Sequence, residues 1–160
     1  MRKETAINIV SFAGITALAF GAFSKPVRQE IFKRDRATCQ CCGKNFYSDG
    51  VMVHAAHFDH HPENPKYYND IDNGQLECVE CHLFSDHLPQ MERFGDEHYH
   101  ASVKLATTAY NEGFHTRKWN ETHPEQLADD RNHLITRLED LGYNPDDFIE
   151  YPTSSSHEVF

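Results

Sequence analysis

Eighteen uncharged residues run from Ala6 to Phe23, "AINIVSFAGITALAFGAF". That length sits at the lower edge of what spans a bilayer, and Asn8, Ser11, Thr16, Gly14 and Gly21 dilute it. Three readings stay open for this segment. A signal-anchor helix fits the length. A cleaved signal peptide fits Arg2 and Lys3 in front and the small Ala22 and Ser24 before Lys25. A buried or docking helix fits the modest hydrophobicity. If the segment spans, Lys25, Arg28, Lys33, Arg34 and Arg36 outnumber Arg2 and Lys3, and the positive-inside rule faces the main domain to the cytoplasm. If it is cleaved, the domain is exported. A chain beginning at Lys25 is expected to be soluble and folded.

Shorter patterns follow. "KPVRQEIFKRDRATCQCCG" predicts a helix started by Pro26, with Val27, Ile31 and Phe32 on its apolar face. "VMVHAAHF", Val51 to Phe58, predicts a strand after the Asp49-Gly50 turn signal. "HHPENPKYYNDIDNG" is loop chemistry, followed by a short return strand over Gln75 to Glu77. A helix is expected at or just after Cys81, through His82 to His87, ending before Pro89. Farther on, Tyr99, Val103, Ala106 and Tyr110 form a helical stripe stopped at Gly113. Thr122 with Glu125 makes a capping pattern for a second helix, with Leu127, Leu134, Leu138 and Leu141 as its apolar face and Gly142 as its end. These stripes read as core faces. The last residues, "EYPTSSSHEVF", read as a frayed tail, and Asn120-Glu121-Thr122 is a glycosylation sequon that matters only on a eukaryotic secretory route. The fold class is therefore α+β, divided as 1–24 hydrophobic segment, 25–92 central domain and 93–160 helical extension with tail.

Charge changes the picture only through its distribution. The net charge of −10 argues against a polyanion partner. Residues 1–44, however, carry eight Lys/Arg and three Asp/Glu, whereas residues 45–160 carry seven and twenty-two. Arg28, Lys33, Arg34 and Arg36 are thus candidate phosphate contacts on an otherwise acidic chain.

The five cysteines carry the strongest chemical signal. An odd number argues against a full set of internal disulfides. Cys39-x-x-Cys42 and Cys78-x-x-Cys81 have the spacing of a closed four-thiolate structural Zn²⁺ site, with Cys41 left over and Gly43 suited to the knuckle's tight turn. The insert between the two pairs gathers His54, His57, Asp59, His60 and His61. The histidines at 61, 98, 100, 115, 123, 133 and 157 are expected to have surface or hydrogen-bonding roles.

The stretch from about Val27 to Leu88 resembles the HNH endonucleases of the ββα-metal class, in their zinc-knuckle-bearing form. The first His is matched by His57 in "AHFDH", the Asn by Asn73 five residues before the second Cys pair, and the last His by His82 directly after it. The resemblance implies a ββα unit clamped by a four-cysteine zinc site, and metal-dependent hydrolysis of DNA phosphodiesters, with RNA left open. It implies His57 as general base and His82 as ligand of a second, catalytic ion, Mg²⁺, Mn²⁺ or another divalent metal. It implies Asn73 as the amide that holds the loop. Where such members carry an Asp or His ligand just before the base, this chain has Ala56, so His54, Asp59, His60, Asp86 and His87 are the candidate replacement ligands. His54 is the rival base. The other function class is a zinc-stabilised module that binds nucleic acid or protein without catalysis.

Overall fold

A computed structural model describes residues 22–152 of the chain. The membrane, signal or docking reading of the hydrophobic segment therefore falls largely on residues outside those described, as does the tail from 153. Among the described residues no helix is long and apolar enough to cross a membrane. The architecture is mixed helix and sheet, as the pattern predicts.

The first helix, α1 (Lys25–Arg34), has Pro at its start, where the missing N–H costs nothing, and Lys33 and Arg34 in its last turn. It buries Ile31 and Arg28. The chain then reverses through Arg36 and Ala37, both at φ 55°. For residues with a Cβ this left-handed geometry costs about 1–2 kcal/mol each. Backbone bonds offset it: the Ala37 N–H donates to the Phe32 carbonyl at 3.0 Å, and the Phe46 N–H to the Ala37 carbonyl at 2.8 Å. Gly43 takes the positive φ expected of the knuckle turn, 78°.

Strands β1 (Val53–His57) and β2 (Gly74–Cys78) pair antiparallel, with Val53 opposite Cys78 and His57 opposite Gly74. Side chains alternate across the pleat, so Val53, Ala55 and His57 share one face with Leu76 and Cys78, and His54 and Ala56 share the other. The first face packs on α1, in a core of Phe23, Ile31, Cys39, Val51, Val53, Leu76 and Cys78. β1 is shorter than expected. Its entry, Val51 and Met52, pairs instead with the C-terminal part: the Met52 N–H donates to the Phe114 carbonyl at 2.9 Å, and Val51 bridges His115.

The helix after the second cysteine pair differs from expectation at both ends. Helix α2 (Val79–Cys81) begins directly after β2, with Cys78 as its N-cap. It continues as a π turn, His82–His87, and then as α3 (Leu88–Phe94). Pro89 does not end it. A proline inside an α-helix clashes with the carbonyl four residues back and cannot bond it. The widened turn ahead of Pro89, in which the Leu88 N–H reaches the Leu83 carbonyl five residues back, accommodates the ring.

Helices α4 (Asp96–Glu112), α5 (Arg117–Thr122), α6 (Gln126–Asp140) and the short α7 (Pro145–Phe148) complete the chain. The buried stripe of α4 is His98, Ser102, Leu105, Ala106 and Ala109, offset from the expected Tyr99, Val103 and Tyr110. Small residues on that face allow α6 and the π turn to approach closely, while Tyr99 reaches across to the Asp147 carbonyl. Thr122 does not cap α6. It ends α5, its hydroxyl bonded to the Trp119 carbonyl at 2.9 Å, and α6 starts after Glu125. On α6 Leu134 and Leu138 are buried as expected, whereas Leu141 is exposed.

One core spans both sides of residue 92: Met52, Val79, Leu83, Phe84 and Leu88 pack with Leu105, Ala106, Leu134, Leu138 and Phe148. The helical extension therefore backs the π turn. Leu134→Ala empties a position with 0% exposure. It is expected to cost about 2–5 kcal/mol, read by urea unfolding; a loss below about 1 kcal/mol would show that this core is not shared.

Candidate functional site

Two groups of metal-ligating side chains lie on either side of one helix start. The sulfurs of Cys39, Cys42, Cys78 and Cys81 all lie within 4.8 Å of one another. Four sulfurs at tetrahedral Zn–S distance are about 3.8 Å apart, and Cys42 Sγ to Cys78 Sγ is 3.7 Å. The donor set therefore fits one metal ion such as zinc. The hydrogen bond between Cys39 and Cys78 pushes the Cys39 thiol down to about 4 and the Cys78 thiol up. Backbone bonds hold the first pair on the hairpin, Cys39 N–H to the Lys44 carbonyl and Gln40 N–H to the Leu76 carbonyl, both 2.8 Å. Cys41 turns to Glu77 at 3.5 Å, and burial pushes its thiol up to about 12.

The second group is on the other side of α2. His82, Asp86 and His87 bring their ligand atoms within 4.8 Å of one another. In an α-helix, residues five apart point roughly 140° away from each other. The π turn removes most of that offset, and His82 Nε2 comes within 3.1 Å of His87 Nε2 and 3.6 Å of Asp86 Oδ2. His54, from the sheet face toward the turn, meets His82 Nδ1 with its own Nδ1 at 2.9 Å. A neutral imidazole has one N–H and one lone pair. One directed chain of N–H···N bonds through His54, His82 and His87 satisfies the middle and leaves both ends bare. Those ends, His54 Nε2 and His87 Nδ1, are buried without partners, and so is Asp86 Oδ2. One of those bare ring ends is then a lone pair and the other an N–H, so the fit to a cation rests on the close approach of His82, His87 and the Asp86 carboxylate.

Around this group the loop residues gather. His60 Nε2 meets Asp86 Oδ1 at 3.0 Å. His61 Nε2 meets His98 Nε2 at 3.2 Å, so two histidines expected in surface or hydrogen-bonding roles meet at the edge of the cluster, His61 exposed and His98 with 6% exposure. Asp59 is exposed and bonds its side chain to the His61 N–H, away from the ion group. Asn73, with 0% exposure, closes the loop: its Oδ1 accepts from the Asp59 N–H at 2.9 Å and its Nδ2 donates to the Asp59 carbonyl at 3.0 Å.

His57 ends β1 at the mouth of this loop. Its Nε2–H donates to the Tyr68 carbonyl at 2.9 Å, which leaves Nδ1 as the unprotonated nitrogen. Burial pushes its pKa down to about 4. Burial likewise pushes His54 and His87 to about 4 and lowers His82. All four are neutral near pH 7.

The basic candidates divide. Arg28 is buried beneath α1. Arg34 donates to the carbonyls of Ile71 and Gly74 and pairs with Asp35, tying α1 to the end of the loop. Lys33 and Arg36 are exposed. Sequence reasoning missed two site neighbours. Phe23, placed in the hydrophobic segment, stacks on His57 at 3.8 Å, and Tyr68, in the loop, stacks at 4.1 Å. No spacing rule singles out either. No known protein family, curated protein or solved structure matches this chain.

Each histidine with a depressed pKa binds its proton less readily in the folded chain than in the unfolded one. The stabilisation is therefore complete above 6.5 and is lost as pH falls from 6.5 toward 4. The melting temperature is expected to drop across that window, with a shallower slope in His87→Gln; a flat profile in the wild-type chain would contradict burial of neutral imidazoles.

Proposed function

We propose that this protein is a metal-dependent endonuclease of the HNH type, built on a ββα unit, that hydrolyses nucleic-acid phosphodiesters, DNA foremost. The observation that carries the reading is a run of contacts from the strand-end histidine to the metal-ligating group: the His57 ring lies 5.9 Å from that of His60, His60 Nε2 meets Asp86 Oδ1 at 3.0 Å, and buried Asn73 closes the loop that carries His60. In this reading His57 Nδ1, unprotonated at pH 7, takes the proton from the attacking water. Asn73 holds the loop so that His57 and His60 keep their places. His82, Asp86 and His87 would hold the divalent ion, which supplies charge neutralisation at the scissile phosphate and the departing 3′ oxygen. Asp86 and His87 take the place that Ala56 leaves without a ligand. By resemblance the products are a 5′-phosphate and a 3′-hydroxyl.

Two imidazole nitrogens and one carboxylate suit transition ions better than Mg²⁺, which favours oxygen donors. The four cysteines in this reading hold structural Zn²⁺, and the hydrophobic segment anchors the domain on the cytoplasmic face of a membrane.

The binding-module reading also has an observation in its favour. Arg28 and Arg34 serve internal contacts, which thins the basic face. A plasmid-nicking assay separates the two. Cleavage is expected with Mn²⁺ or Ni²⁺ and more weakly with Mg²⁺. His57→Ala is expected to lower the rate by about 10²–10⁴-fold with DNA binding retained. His82→Ala is expected to lose activity by losing metal, with partial return at high Mn²⁺. If the wild-type chain leaves plasmid intact with every divalent ion tried yet still shifts DNA, the binding module stands.

Metal analysis of the purified chain tests the cysteine site separately. About one Zn²⁺ per chain is expected, and Cys39→Ser or Cys78→Ser should release it and unfold the hairpin, since binding and folding are coupled in such sites. An unchanged melting curve after zinc removal would sink this.

A further inference from the structure

His57 is gripped on both ring faces. Phe23 lies against it with centroids 3.8 Å apart and planes 11° apart. Tyr68 lies against it at 4.1 Å and 27°. Two rings that close and that parallel cannot share one face, so the imidazole is sandwiched. Its edge is held as well, by the Nε2–H bond to the Tyr68 carbonyl.

Phe23 is held in turn. It has 2% exposure and sits over Gly74, the cross-strand partner of His57. A Cβ at Gly74 would fall 2.5 Å from Phe23 Cζ, so this glycine is required by the aromatic ring above it. The next residue is tied down too: the Ser24 N–H donates to Asn69 Oδ1 at 2.8 Å, in the same loop that supplies Tyr68. Phe23 thus reaches the site from the last position of the hydrophobic segment, outside the His57–His82 unit.

We propose that Phe23 is a positioning residue: with Tyr68 it fixes the plane of the His57 ring, so that the Nδ1 lone pair has one direction. The proposal rests on the reading of His57 as the base. It makes the chain just before Lys25 part of the active site. A chain beginning at Lys25 lacks one jaw of the clamp.

A bland reading is that Phe23 fills the small core under α1, where any apolar side chain of similar size would serve. Point variants in the full-length chain distinguish the two. Phe23→Leu keeps the apolar filling and removes the ring; Phe23→Tyr keeps the ring. Two quantities are read: the His57 ring C–H resonances by NMR, and kcat and KM for cleavage of duplex DNA with Mn²⁺. In the wild-type chain the two stacked rings are expected to shift the His57 resonances upfield. Phe23→Leu is expected to lose Phe23's part of that shift, leaving Tyr68's, and to lower kcat roughly ten- to a hundredfold, the scale of a small misplacement of a reacting group, with KM little changed. Phe23→Tyr is expected to restore both. Wild-type kcat together with wild-type His57 resonances in Phe23→Leu would overturn the proposal, as would equal losses in Leu and Tyr variants. If the wild-type chain cleaves nothing, the proposed function fails, and the ring resonances alone then decide whether Phe23 orients His57.

Discussion

The site depends on where the helix leaves the second strand, and four cysteine sulfurs hold that point. Cys78 is both the last residue of β2 and the N-cap of α2, and Cys81 ends that short helix. The other pair is stitched to β2 by the Gln40 N–H bond to the Leu76 carbonyl. A cation among the four thiolates would lock the angle between sheet and helix that a small core under α1 cannot secure by packing alone. His82 follows Cys81 directly. With a cation bound there, the direction of His82 would be set by the cysteines, and what meets His82 would inherit that setting.

The second constraint is the cost of burying imidazoles. Buried polar atoms without partners are unfavourable, and this cluster leaves His54 Nε2, His87 Nδ1 and Asp86 Oδ2 unpaired. The π turn that brings His82, Asp86 and His87 together also gives up regular α-helical bonding. The shared core of Leu83, Phe84 and Leu88 with α4 and α6 offsets both costs. In this fold the C-terminal helices act as the buttress that keeps an unfavourable turn in place. Local departures from regular structure that are supported elsewhere are typical of functional sites.

Much of this was legible in the sequence, because the informative residues are close together in the chain. The cysteine pairs, a first strand through His54 and the loop before the second strand are local patterns that the fold keeps, although the first strand is shorter at both ends than the pattern. The misses involve contacts between distant segments. Pro89 reads as a helix end, yet tertiary packing carries the helix through it. The tyrosines of α4 look like the apolar stripe, yet the neighbours of that helix select its small residues and His98. Thr122 and Glu125 match a capping pattern that the preceding short helix takes over. Arg28 and Arg34 look like phosphate contacts because sequence shows their charge but not the carbonyls and core that engage them.

The acidic middle of the chain now carries a different meaning. Residues 45–92 contain nine acidic side chains and one lysine. Arg34 is tied to the loop, and the carboxylate within the His82–Asp86–His87 group is Asp86. A phosphate approaching buried Asp86 would meet repulsion that a divalent ion at the group would reverse locally, since charges out of bulk water interact more strongly than in it. The same carboxylate attracts the ion. In the nuclease reading, metal loading and nucleic-acid binding are then one linked equilibrium, with the ion supplying attraction that this chain's own surface lacks.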